Sequence, residues 1–118
     1  MLKRKIEQTL LEWKNTANRK PLIVKGCRQC GKTFSVLDFA HKNYKNVVEN
    51  PDYASVFAGS LEVDNIVMML TALLGSTAVF EAGETVLVLD EIQDCPEART
   101  ALKFFRIDGR YDVIGTGS

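Results

Sequence analysis

Leu2, Ile6, Leu10 and Trp13 recur at helical spacing with Lys, Glu and Gln between them. That rhythm predicts an amphipathic helix lying on a sheet. Asn15 to Lys20 is polar and loop-like; Pro21 can enter a strand at a position that donates no hydrogen bond, and Leu22 to Lys25 reads as the first strand. From Lys32 to about His41, the residues Phe34, Val36, Leu37, Phe39 and Ala40 make a mostly apolar helix packed closely on a sheet, with His41 at its end. Only Val47 and Val48 supply a second strand, expected at an edge. Asn50 can cap, and Pro51 can start, a short helix reaching Phe57.

Ser60 is expected to cap a longer helix through Leu74, with Glu62 and Asp64 in its first turn and Gly75 as a left-handed stop. Ile66, Val67, Leu70, Leu73 and Leu74 form its buried stripe, and Met68 and Met69 read as packing residues. Phe80 to Thr85 leads into an apolar strand, Val86 to Leu89, and Ile92 to Cys95 leaves it. A helix opened by Pro96 and Glu97 and anchored by Leu102, Phe104 and Phe105 follows, then a strand from Tyr111 to Gly115 running into Thr116-Gly117-Ser118. Strands alternating with helices imply right-handed crossovers, hence an α/β fold with a parallel sheet covered on both faces.

Between the first strand and its helix lies Gly26-Cys27-Arg28-Gln29-Cys30-Gly31-Lys32-Thr33, the pattern of a phosphate-cradling P-loop in the strand-to-helix setting it requires. A glycine-rich turn can aim backbone N–H groups inward, the helix N-terminus adds partial positive charge, and Lys32 adds a full one between the β- and γ-phosphates. Thr33 offers a hard hydroxyl donor for the Mg²⁺ that accompanies a nucleotide. The nucleotide-contacting set is therefore Gly26, Cys27, Arg28, Gln29, Cys30, Gly31, Lys32 and Thr33 with the adjoining Phe34, whose ring reads as core rather than as a stacking surface for a base.

Four fixed positions occur by chance, so the second motif matters. Val86-Leu87-Val88-Leu89 is a strand buried on both faces, and it ends in Asp90-Glu91 at the carboxyl edge, where parallel sheets place ligands. Asp90 is positioned to face Mg²⁺. Glu91, one residue on, can polarise the water that attacks the γ-phosphate.

At 118 residues the chain is of single-domain size, and its composition, 46% hydrophobic and 25% charged, is that of an ordinary globular protein. Its longest apolar stretch, Ile66 to Leu74, is interrupted by Thr71 and is far short of the roughly 20 residues of a membrane span. The basic start is followed by Glu7, Gln8 and Glu12 rather than an apolar run, so no secretory signal is read and a cytoplasmic location is expected. Net charge is zero but divided: residues 1–45 hold 11 Lys and Arg against 3 Asp and Glu, and residues 46–118 hold 4 against 12. A phosphate side that is basic and a metal side that is acidic account for part of this polarity. The basic residues Lys3, Arg4, Lys5, Lys14, Arg19 and Lys20 read as a solvated face, without aromatic interleaving for stacked bases. Cys27 and Cys30 occupy variable positions of the loop, and only Cys95 and His41 remain as further ligands, so the Cys-x-x-Cys is not read as a zinc site.

Pro21 to Thr33, the run Leu89-Asp90-Glu91-Ile92-Gln93 followed by Cys95-Pro96-Glu97, and the terminal Val113-Ile114-Gly115-Thr116-Gly117-Ser118 together resemble the bacterial and archaeal AAA-type P-loop ATPases. The resemblance covers nearly the whole chain. It implies a three-layer αβα sandwich of P-loop NTPase type with sheet order 2-3-4-1, in which the final strand separates the Asp90 strand from the P-loop strand. It also implies that Thr116 or Ser118 acts as a polar sensor touching the γ-phosphate or the attacking water. Relatives continue with another strand, a lid and a nuclease-like C-terminal domain, so residues 1–118 are expected to be the ATP-binding portion of a longer protein. Any arginine finger is expected beyond that portion, with Arg99, Arg106 and Arg110 as candidates within it. Adenine over guanine is implied by the resemblance alone; no Asn-Lys-x-Asp segment that reads guanine is present.

The reading is ATP binding, with Mg²⁺-dependent hydrolysis in the parent protein. Its alternative is a nucleotide-responsive interaction module that binds ATP without productive turnover; a small-molecule kinase ranks below both. Expected partners are ATP, a protein partner or a second copy, and nucleic acid through the further domain, with no membrane.

Overall fold

A computed structural model of the chain describes residues 2–16, 20–25, 32–49 and 53–117, and the side chains of these except at 2–4, 32, 33, 53 and 54. The elements are α1 (Leu2–Lys14), β1 (Leu22–Lys25), α2 (Lys32–Asn43), β2 (Asn46–Glu49), α3 (Tyr53–Val56), α4 (Val63–Leu74), β3 (Thr85–Leu89), α5 (Pro96–Asp108) and β4 (Asp112–Gly117), with 3-10 turns at Gly75–Thr77 and Ile92–Asp94. The four strands form one parallel sheet in the order β1-β4-β3-β2, the expected 2-3-4-1 read from the other side.

Side chains on a strand alternate between faces, and the sheet uses both. Val86, Val88 and Ile114 join Ile6 and Leu10 of α1 and Val36, Phe39 and Ala40 of α2 on one face. Leu87, Leu89 and Val113 join Val56, Val63, Ile66, Leu70, Ala98, Ala101 and Phe105 on the other. The result is the three-layer α/β sandwich that the strand–helix alternation requires. β3, with partners on both sides and all five residues buried, is its centre.

Two polar side chains at the edges of this core have clear partners. At the amino end of β3 the buried Thr85 hydroxyl donates to Val79 O (2.9 Å) and accepts from Glu81 N–H (2.9 Å). Trp13, at the end of the α1 stripe, donates its indole N–H to Lys20 O (2.6 Å), which ties the chain entering β1 to that helix.

Several expectations need correction. α4 begins at Val63 with Glu62 as its N-cap rather than at Ser60; the Ser60 hydroxyl instead accepts from Glu62 N–H (3.3 Å) in a local turn. Its buried residues are Val63, Ile66 and Leu70, a stripe that turns away from Leu73, while Met68 is 60% exposed on the opposite face. In α5, Ala98, Ala101 and Phe105 face the sheet and Phe104, one residue off that stripe, does not. In α2 the buried set is Ser35, Val36, Phe39 and Ala40, so Phe34 lies 66% exposed and is not core. Gly75 does stop α4 with positive φ, and β2 is a short edge strand as expected. The Asn50–Pro51 helix start lies outside the described residues.

Because Leu87 is wholly enclosed in β3, Leu87→Ala is expected to lower stability by about 2–5 kcal/mol. Urea unfolding followed by circular dichroism checks this; a loss under about 1 kcal/mol would show that β3 is not the packing centre.

Candidate nucleotide site

In a parallel sheet every strand delivers its carboxyl end to the same edge. Here the register sets Leu89 opposite Gly115, so Asp90 arrives level with Thr116, and sets Val24 opposite Thr116 from the other side. β1 therefore ends one strand away from β3, a separation of about 10 Å at ordinary strand spacing. The glycine-rich segment begins at the next residue after β1, and α2 starts at Lys32. The segment thus falls in the chain between a strand and a helix N-terminus, the context that a phosphate-cradling loop requires. Gly26, Cys27, Arg28, Gln29, Cys30, Gly31 and Ser118 lie outside the described residues, as do the side chains of Lys32 and Thr33.

The acidic half of the site is built around one hydroxyl. Thr116 is fully buried; its Oγ1 donates to Asp90 Oδ1 (2.5 Å) and accepts from the Glu91 N–H (3.0 Å). A threonine hydroxyl has one proton, and here it goes to Asp90. Thr116 therefore holds both acids rather than presenting its proton to the crevice. This differs from the sensor contact that the family resemblance implies.

Glu91 has φ 51° and ψ 54°, and among the described residues it alone combines a side chain with positive φ. Left-handed backbone at such a residue costs on the order of 1–3 kcal/mol and persists only where surrounding contacts enforce it. The contacts are visible: the Thr116 bond fixes the Glu91 amide, and Ile92, which begins the following turn, is buried. Gly115 makes room for that anchor, since a Cβ there would meet Ile92 Cδ1 at 3.3 Å. The turn brings Gln93 back over the acid, where its Nε2 donates to Glu91 Oε2 (2.5 Å).

A cleft of about 110 Å³ opens beside this turn, lined by Ile23, Lys25, Ile92, Gln93, Arg99 and Gly117. Arg99, in the first turn of α5, is therefore at the carboxyl edge. Arg110 precedes β4 at the other end of the sheet, paired with Asp64 (2.6 Å) and Asp108 (2.9 Å), which hold its guanidinium well above its ordinary pKa. Arg106 lines a small recess with Lys20, Gly109 and Asp112 at that same amino end. Neither reaches the acids within this chain.

One parallel sheet covered by helices on both faces, with paired acids at the carboxyl end of β3, is an α/β fold consistent with the P-loop NTPase type. The family model described as AAA domain matches residues 18–118, and the chain belongs to that family. Membership supports nucleotide binding. No curated protein matches the chain. Among the described residues no helix is long and apolar enough to cross a membrane.

Sequence reasoning named Asp90 and Glu91, which the structure sets together at the end of β3, and Thr116, whose described contacts are to those two acids; it gave no part to Gln93. The available signal was the Gly-x-Gly of residues 115–117, whose outer members are small where the Ile92–Asp94 turn crosses the strand.

Thr116→Val keeps the shape but leaves the Glu91 N–H and the Asp90 carboxylate without their partner, so a loss of about 1–3 kcal/mol is expected, with Thr116→Ser restoring most of it. Urea denaturation of both variants measures this. Equal stability of wild type and Thr116→Val would contradict the bridge.

Proposed function

We propose that this domain binds Mg²⁺-ATP at the carboxyl edge of the sheet and hydrolyses it by water attack on the γ-phosphate. The observation that supports this reading is the Thr116 bridge, which sets two acids with different jobs beside the end of β3, one strand from the loop that precedes α2.

The donor set suits the substrate. Thr33 and Asp90 are hard oxygen donors, and among the described residues no group of three or more His, Cys, Asp or Glu is gathered for a protein-held metal. A cation that arrives on a triphosphate needs only such a sparse set, because phosphates and water fill the remaining positions. Thr33 and Asp90 would hold that ion, which neutralises charge building on the phosphate oxygens. Main-chain N–H groups of residues 26–33 and the Lys32 ammonium bind the triphosphate. Glu91 accepts a proton from the attacking water. Thr116 acts through the acids, keeping Asp90 aimed at the crevice and Glu91 in its left-handed turn.

Electrostatic positioning carries most of the catalysis in such sites, and an arginine supplied from outside contributes on the order of 10³–10⁵ in rate. Slow turnover by the isolated domain is the consequence.

Lys32→Ala is expected to abolish measurable Mg²⁺-ATP binding in calorimetry with the fold intact by circular dichroism. Glu91→Gln is expected to keep binding within a few-fold while lowering phosphate release roughly 100-fold or more. Unchanged affinity in the first variant would refute the phosphate site. Equal phosphate release from wild type and Glu91→Gln would refute hydrolysis and leave a nucleotide-responsive binding module.

A further inference from the structure

Among the described residues, the Gln93 carboxamide is a polar group in contact with Glu91 that neither motif accounts for. Its Nε2 donates to Glu91 Oε2 at 2.5 Å, and this fixes which end is which: a carboxylate only accepts, so the amide nitrogen faces Glu91 and Oε1 faces the other way. Oε1 lies over Gly117, where a Cβ would stand 3.1 Å from it. That is tighter than carbon and oxygen ordinarily approach, so a side chain at 117 would make the carboxamide give by a few tenths of an ångström against the acid. Gly117 has negative φ and needs no glycine for its backbone; its value is the space it leaves. Ile92, buried and seated against Gly115, fixes the turn from which Gln93 projects.

We propose that Gln93 is a positioning residue: seated in the space left by Gly117, it holds one oxygen of the Glu91 carboxylate and so sets the direction from which the other addresses the attacking water. A carboxylate on a flexible side chain samples many orientations, and a misplacement of about 1 Å can cost on the order of 10²-fold in rate. The clamp has a structural half, the hydrogen bond and its seat, and a catalytic half that rests on the hydrolase reading above.

The two halves are separable by experiment. In ¹⁵N-labelled protein, the Gln93 side-chain amide is expected to show one proton displaced downfield, and the displacement is expected to collapse in Glu91→Ala and to change in Gly117→Ala. Its absence in wild type, its persistence in Glu91→Ala, or an unaltered value in Gly117→Ala would overturn the clamp whether or not ATP is hydrolysed. With Mg²⁺-ATP, Gln93→Ala is expected to lower kcat roughly 10- to 100-fold with KM within about twofold. Gly117→Ala is expected to lower kcat by less when alone and to add nothing in the Gln93→Ala background, where no Oε1 remains to displace. Unchanged kcat in Gln93→Ala, or Gly117 and Gln93 effects that multiply, would overturn the catalytic half. If wild type and Glu91→Gln release phosphate equally, the hydrolase reading fails, and the amide spectrum alone decides the clamp.

Discussion

The arrangement of the acidic edge hangs on the Thr116 hydroxyl, which donates to Asp90 and accepts from the Glu91 amide across the β3–β4 boundary. A buried hydroxyl so placed has no alternative partner in water, and each acid's position depends on it. It ties the end of one strand to the next at the point where regular pairing stops. Without it, the Asp90 carboxylate and the Glu91 amide would each lose a buried partner at the strand end. With it, the chain is forced through a left-handed residue and into a tight turn.

The rest of the fold serves to bring that edge into place. β3 is central and buried on both faces, so its end has little freedom to move. β4 intervenes between β3 and β1, which sets the carboxyl ends of those two strands two strand spacings apart. The lopsided charge of the sequence follows: the loop and its helix lie in the basic first part of the chain, and β3 with its acids in the acidic remainder. At the amino edge the buried Thr85 hydroxyl satisfies Val79 O and the Glu81 N–H.

Much of this was legible in the chain before any coordinates. Val86 to Leu89 could be read as a doubly buried strand because it lacks alternation, and Leu22 to Lys25 and the helix from Lys32 as a strand and helix flanking the glycine-rich segment. Strand order is a long-range property and came only from the family resemblance. The misreadings share a cause: in α2, α4 and α5, apolar residues occur on more than one face, so Phe34, Met68 and Phe104 could be told from true core only by knowing which stripe the sheet selects. Gln93 was illegible for a different reason. Nothing in residues 91–93 shows that Glu91 turns left-handed, and without that turn the carboxamide and carboxylate point apart.

The central claim is that a metal-bound triphosphate sits at the carboxyl edge, between β1 and β3, against the acids that Thr116 holds. Paramagnetic broadening of backbone amides by Mn²⁺-ATP tests this most directly, because the effect falls with the sixth power of distance. Loss of the Asp90, Glu91 and Thr116 amide signals is expected, with those of Asn46, Thr85 and Asp112 at the amino edge retained. Broadening centred on the amino edge, or none at any strand end, would contradict it.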